Sequence, residues 1–359
     1  MTAAREKTVD DTKAGTYHCY SRCVRRAFLC GFDKLSGKNF NHRKGWTRNR
    51  LQFLSTIYPH KIIAFAIMSN HLHVLLRHDP GATTAWSEKE VARRWRLLYS
   101  RRKNPDGTPC KPTKAEIEEL IADKVYIETL RARLGSVSWF MKSLKEYIAR
   151  SANKEDDCTG CFWDGRFKCK KVDKDSGVLA CSSYVDLNPV RAGTAKTPEE
   201  SLHTSIHERV TAFRAREKLK ELKSEQDSKS VDVKYLTRLE LLSKRDEWLA
   251  KIGDCEDDIQ GQHHFPIDLK TYMKILDLSA HKLRENEEWG ENEELGPVLA
   301  KLGINSGSWL EMNKHYDNWF CRFVGDEESL LSAAKKAGKK WVKGLWAARI
   351  AFKISPITS

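Results

Sequence analysis

Two histidines stand two residues apart in the stretch Ser69-Asn70-His71-Leu72-His73-Val74. Side chains alternate across a strand, so on an extended chain both imidazoles point to one face and Leu72 to the other. Two imidazole nitrogens on a rigid strand offer two ligands to one metal ion. A metal held there suits phosphodiester chemistry, which also asks for a nucleophile. A His-x-His pair alone is weak evidence, because a partly buried histidine usually only makes hydrogen bonds. Its setting adds weight: the fully apolar run Ile62 to Met68 precedes it and Leu75-Leu76 follows it, in a basic chain.

A tyrosine on a basic amphipathic helix comes later, in Trp139 to Asn153. Val137, Met141, Leu144, Ile148 and Ala152 form one apolar stripe, and Tyr147 sits at its edge. A ring there can be half buried with its hydroxyl in a cleft. The blander reading is a core-edge tyrosine making one hydrogen bond. A tyrosine hydroxyl, with a pKa of about 10, needs help at neutral pH. Lys145, Arg150 and Lys154 are near enough in sequence to give it.

The elements that must position these residues follow from periodicity. Residues 16 to 24 read as a first strand, and about 42 to 58 as a helix ended by Pro59. Ile62 to Met68 and Leu72 to Leu76 read as two strands joined at Ser69-Asn70. Ser87-Glu88-Lys89-Glu90 looks like the cap and first turn of a helix running to about Tyr99. Asn104 to Gly107 reads as a loop. A charged helix is expected over about 113 to 134, and Gly135-Ser136 separates it from the tyrosine helix. A strand near Arg166 to Val172 completes a β-α-β-β-α-β order. That order predicts an α+β fold, the ferredoxin-like split unit, with an antiparallel sheet and helices on one face. Residues 1–206 would form this domain. Residues 207–262 read as a charged helical linker, and 263–359 as a smaller all-α C-terminal domain.

The bulk numbers agree with two domains in 359 residues. Sixty-three Lys and Arg against 49 Asp and Glu give a formal charge of +14, which favours nucleic acid as partner. No apolar run approaches a membrane span, and the polar N-terminus lacks a signal-peptide core. A cytosolic, cytoplasmic protein with ten reduced cysteines is the expectation. Cys158-x-x-Cys161, with Cys169 and Cys181 beyond, fits no common zinc module.

Five stretches in this order resemble the HUH single-tyrosine transposases, most closely the REP-associated tyrosine transposases. They are Tyr17-His18-x-x-Ser21-Arg22, Met68 to Leu76, Trp139 to Leu144, Phe162 to Lys168 and Ser183 to Gly193. The resemblance covers roughly residues 15 to 195, and the ordered set is more specific than any one motif. It implies a ferredoxin-like HUH domain that cuts and rejoins single-stranded DNA near a hairpin. By that resemblance His71 and His73 would hold Mg²⁺ or Mn²⁺, with phosphate oxygen and water completing the shell. Tyr147 would attack phosphorus to give a 5′-phosphotyrosine and a free 3′-hydroxyl. The intermediate keeps the bond energy, so rejoining needs no ATP.

One departure bears on the third metal ligand. In the family a polar residue about one helical turn past the tyrosine completes the site. Here position 151 is serine and Asn153 lies six residues on. Either Asn153 ligates through a distorted helix, or Glu146 on the same face takes part, or the tyrosine register differs. Tyr184 is the second candidate nucleophile, beside a structural turn at Asp186-Leu187-Asn188-Pro189.

Phosphate contacts are expected from Arg22, Arg25, Arg26, Arg150, Arg166, Lys168, Lys170, Lys171 and Arg191. A solvated charged surface is the competing account of each. The lysine-rich end around Lys340, with Trp341 and Trp346, suggests a second DNA contact, against an ordinary amphipathic helix. Two rival functions stand beside the transposase. One is a nucleic-acid-binding protein on the same fold that has lost nicking. The other is a replication or conjugation HUH nuclease, which the chain resembles only at the histidine pair.

Overall fold

The computed structural model describes residues 8–24, 30–33, 37–105, 107–224, 232–252, 265, 267–287, 295–336, 338 and 340–352. β1 (Gly15–Arg22) leads into α1 (His42–Ile57), β2 (Lys61–Ile67) and β3 (His71–His78). A short α2 (Gly81–Thr84) and α3 (Glu88–Leu98) follow. Ser87 caps α3 by accepting from the Glu90 amide, as its sequence suggests. The charged segment expected as one helix is two, α4 (Lys114–Ala122) and α5 (Lys124–Gly135). Asp123 divides them, because its carboxylate accepts from the Tyr126 amide and caps α5. The tyrosine helix is α6 (Val137–Glu155), with its expected apolar stripe buried. β4 (Lys168–Val172), α7 (Lys174–Asp186) and α8 (Asn188–Arg191) come next. The later chain forms α9 (Ser205–Ser224), α10 (Val233–Ser243), α11 (Leu269–Glu285), α12 (Gly296–Lys301) and α13 (Trp309–Trp319). β5 (Phe323–Val324), α14 (Glu327–Lys336) and α15 (Leu345–Ala351) end the described chain.

The sheet runs β2-β3-β1-β4-β5. Its first three junctions are antiparallel, and β5 joins β4 in parallel. The sheet is thus mixed and gains its fifth strand from the C-terminal part, where the sequence suggested helices alone.

Helices cover both faces of the sheet, not one. On one side Leu72, Val74 and Leu76 of β3 pack with Leu51 and Leu54 of α1 and with the α6 stripe of Phe140, Met141, Leu144 and Ile148. On the other side Ala64 and Ala66 of β2 and Leu75 of β3 pack with Tyr184 and Val185 of α7 and Ile206 of α9. Tyr272, Trp309, Tyr316 and Phe320 belong to that same cluster. β2 is buried on both faces, which is why it reads as an uninterrupted apolar run.

The C-terminal helices, read from the sequence as a unit of their own, therefore share a core with the sheet. Asp186 ties them down. Its buried carboxylate accepts from Ser205 Oγ at 2.5 Å, the Ile206 amide at 3.0 Å and the Tyr272 hydroxyl at 2.7 Å. The segment expected as a solvated linker is partly interior too. Arg209 of α9 is buried and donates to the Ile63 and Ala250 carbonyls, each at 2.9 Å.

Candidate histidine site

β1 lies beside β3 in a register that sets Arg22 against His71 and Tyr20 against His73. Alternation then puts His18 and Tyr20 on the same face as the two histidines of β3. His18 Nε2 lies 2.9 Å from His73 Nδ1, with the rings stacked at 5.1 Å between centroids. The His71 and His73 rings are 5.0 Å apart and nearly perpendicular. His71 is half-buried, with Nδ1 2.6 Å from Asn70 Oδ1.

α7 and α13 close this face. The Tyr184 ring meets His73 edge-on at 5.6 Å, and the Tyr316 ring stacks on Tyr184 at 4.3 Å. The Tyr184 hydroxyl donates to Asp317 Oδ2 at 2.7 Å, while Lys170 Nζ donates to Asp317 Oδ1 at 2.7 Å. The Arg191 guanidinium lies 4.1 Å from the Tyr184 ring centre, on the face that favours a cation.

The electrostatics follow from burial in a basic surround. Burial, then Lys170, lowers His18 to about 3. Burial, then Arg22, lowers His71 to about 4. Burial and the His18 ring hold His73 well below its usual value. All three imidazoles are neutral at pH 7, the form that binds metals. Burial alone would raise the Asp317 carboxyl, but Lys170 and the Tyr184 hydroxyl hold it below the ordinary range. Burial and that carboxylate push the Tyr184 hydroxyl well up.

A two-histidine metal set fits these residues. His73 Nε2 is buried without a hydrogen-bond partner among the described residues. When His73 donates from Nδ1 to His18, its Nε2 presents a lone pair, the usual way a partner fixes a ligating tautomer. Among the described residues no group of three or more His, Cys, Asp or Glu is placed to hold a metal. Asp317 is engaged by Lys170 and Tyr184. Oxygen ligands from a phosphate and water would have to complete the shell.

The structure brings only part of the expected site together. Arg22 and Arg191 stand close enough to His71 to oppose its protonation. Tyr147 does not join them. Its helix packs on the opposite face of the sheet, because the stripe of α6 is buried against Leu72, Val74 and Leu76 while the histidines point away from these. Asn153 is held elsewhere as well: its Nδ2 donates to the Gly160 carbonyl at 3.1 Å. Glu146 pairs with Arg150 at 2.6 Å. Lys170 is buried in its pair with Asp317 and is no surface phosphate contact. Arg166, Lys168, Arg150 and Lys340 are exposed. Arg25 and Arg26 lie outside the described residues.

His18, Tyr316 and Asp317 were missed as site residues. His18 carried a usable signal, since His18 and Tyr20 repeat on β1 the two-residue spacing of His71 and His73. Asp317 carried none, being 147 residues from Lys170 in the chain.

No protein-family model matches the chain, and no curated protein matches it. Among solved structures a REP-associated tyrosine transposase bound to a REP hairpin is similar to it at 12% identity. The match covers 58% of this chain and 84% of that one, with a TM-score of 0.34.

Proposed function

We propose that this is a DNA-acting protein of the HUH transposase type, with its chemistry centred on the histidine face. One observation carries the reading. Candidates from separate stretches of the sequence converge there, Arg22 from β1, His71 and His73 from β3, Tyr184 and Arg191 from α7 and α8, and His18 of a resembling stretch joins them. The split order of β1, α1, β2, β3, intervening helices and β4 is the one the resemblance implies. The formal charge of +14 suits nucleic acid, and the resemblance makes it single-stranded, hairpin-associated DNA.

In this reading His71 and His73 would hold Mg²⁺ or Mn²⁺, which when bound would polarise the scissile phosphodiester. Of the tyrosines at that face, Tyr184 is the candidate nucleophile of the sequence, and its hydroxyl meets a carboxylate. Its oxygen would bond to phosphorus as the bond from phosphorus to the 3′ oxygen breaks, leaving a 5′-phosphotyrosine and a 3′-hydroxyl. Asp317, already accepting the Tyr184 hydroxyl at 2.7 Å, is placed to take its proton, and water supplies one to the departing oxygen. Arg22 and Arg191 would orient the phosphate. Tyr184 is only 3% exposed, so a strand would reach it only if α13 moved aside.

That cover favours a second reading, a nucleic-acid-binding protein on this fold without nicking. The test is incubation of the full chain with hairpin oligonucleotides and Mn²⁺, followed by mass spectrometry of tryptic peptides. An adduct on the α7 peptide carrying Tyr184, absent in Tyr184→Phe, supports the first reading. An adduct on the α6 peptide returns the role to Tyr147. DNA binding with no adduct in any metal establishes the second.

A further inference from the structure

Tyr147 is 40% exposed and lines a cleft of about 390 Å³ in the outer helical layer, across the sheet from the histidines. The cleft lies among α1, α3, α6 and the loop after α3. Four of its lining residues are cations, Arg50, Lys103, Arg150 and Lys154, against the single acid Glu146 among those described. Glu146 is bonded to Arg150 at 2.6 Å, so Arg50 is left without a carboxylate at ion-pair distance among the described residues. The Arg50 guanidinium sits between two rings, 4.7 Å from the centre of Tyr147 and 5.0 Å from that of Phe53. Its Nε is buried with no hydrogen-bond partner among the described residues, and Nη2 reaches only the Ser143 carbonyl at 3.4 Å. Burial disfavours its charged form, and Tyr147, with smaller help from Tyr58, Tyr99 and Glu146, offsets that only in part. A half-buried, carboxylate-free guanidinium is a group that gains from an anion. Tyr99 is exposed in the same lining, so two tyrosine faces are available at the cleft.

We infer that this cleft is a second nucleic-acid site, in which Arg50 and Lys154 hold a phosphate of single-stranded DNA and Tyr147 stacks on the adjoining base. The geometry matches the two terms of strand binding, cations along a backbone and aromatic faces for bases. The volume suits one nucleotide unit. The site goes beyond the histidine-face reading and does not need that face to cut DNA. It also gives Tyr147 a use other than nucleophilic attack.

The test is fluorescence anisotropy of a labelled single-stranded oligothymidylate titrated with the full chain over a range of salt. Arg50→Gln and Lys154→Ala should each weaken binding at least threefold. Each should also make the slope of log affinity against log salt shallower by about 0.7, the value for neutralising one phosphate fewer on a single strand. Tyr147→Ala should weaken binding about tenfold with the slope unchanged, and Tyr147→Phe should rescue it, because stacking needs the ring and not the hydroxyl. Should Arg50→Gln not fold, Lys154→Ala and Tyr147→Ala, both at exposed positions, decide the matter. Wild-type affinity and slope in those two folded variants would overturn the site. Competition by thymidine monophosphate at micromolar concentration would support the cleft and assign it to a free nucleotide. Competition only above millimolar would support it as a strand contact. Nicking is read separately from binding, so loss of the histidine-face reading leaves this result standing.

Discussion

His18 and His73, on neighbouring strands, meet through a single hydrogen bond: Nε2 of the first lies 2.9 Å from Nδ1 of the second. One ring donates and the other accepts, so the pair holds one proton between them. A second proton on either ring would put a positive charge in a buried place beside Lys170.

The first prediction concerns acid. In the unfolded chain His18 protonates near 6.5, and in the folded chain only near 3. The unfolded state therefore binds more protons between those values, and stability falls as pH drops below about 6.5. Above that it is unaffected. At pH 5 His18 alone contributes about 2 kcal/mol of loss, at about 1.4 kcal/mol per pH unit. His73 and His60, also buried with lowered pKa values, add to the loss in the same direction. Urea midpoints at pH 7.5 and 5.0 measure the loss. A His18→Gln chain should lose less over that interval, and equal losses in both chains would remove this account.

Asp317 is the target of the second prediction. It receives the Lys170 ammonium and the Tyr184 hydroxyl on separate oxygens. Lys170 is buried, whereas the Asp317 side chain is about half exposed. Asp317→Ala leaves a buried cation and a buried hydroxyl unpaired and should cost about 1–3 kcal/mol in chemical denaturation. Changing Lys170 to Met in the same chain should recover much of that, because it removes the orphaned charge. A double variant no more stable than the single one would show that the pair is not what matters.

Deleting residues 263–359 supplies the third prediction. The deletion takes away Tyr272, Trp309, Tyr316 and Phe320 from a cluster that also holds Ala64, Tyr184 and Ile206. It also strips the Tyr272 hydroxyl from Asp186 and β5 from β4. The remaining chain should lack a cooperative thermal transition and expose apolar surface to a hydrophobic dye. A sharp transition in the truncated chain would instead restore the two-domain division. Asp186→Ala in the full chain should be milder, at about 2–4 kcal/mol, since one carboxylate is removed from its three donors but the apolar packing stays.

How much of this was legible depends on whether a signal is local. β1, α1, β2, β3, α6 and β4 were readable, because each carries its own periodicity or cap. The burial of β2 on both faces was also written in the unbroken run Ile62 to Met68, although the expectation of helices on one face did not use it. The side of the sheet on which α6 packs was not readable. The apolar stripe of α6 says which residues of the helix turn inward, but a stripe has no mark for one sheet face over the other. The resemblance implies Tyr147 beside the histidines, whereas α6 packs on the opposite face of the sheet. The Lys170–Asp317 pair and the stacking of Tyr316 on Tyr184 join segments more than 130 residues apart, and no window of sequence contains both partners.

The last prediction concerns the metal. His73 Nε2 is a buried imidazole nitrogen without a partner among the described residues, and such an atom costs free energy unless something binds it. A divalent ion at His71 and His73 would remove that cost, so binding should be measurable without any DNA. Manganese titrations of the full chain, followed by the loss of the free-ion signal in electron paramagnetic resonance, should show one site. His71→Ala or His73→Ala should weaken it at least tenfold. His18 is not a ligand in this arrangement but fixes which nitrogen of His73 is bare. His18→Phe should therefore weaken the ion by about 10–100-fold while His71 and His73 are intact, the usual size of the effect when an orienting partner is removed. His18→Asn, which keeps an acceptor near Nδ1, should lie between the two. Manganese uptake by His73→Ala equal to the unaltered chain would mean that the ion, if bound, sits elsewhere, and the histidine face would then be a hydrogen-bonded core feature.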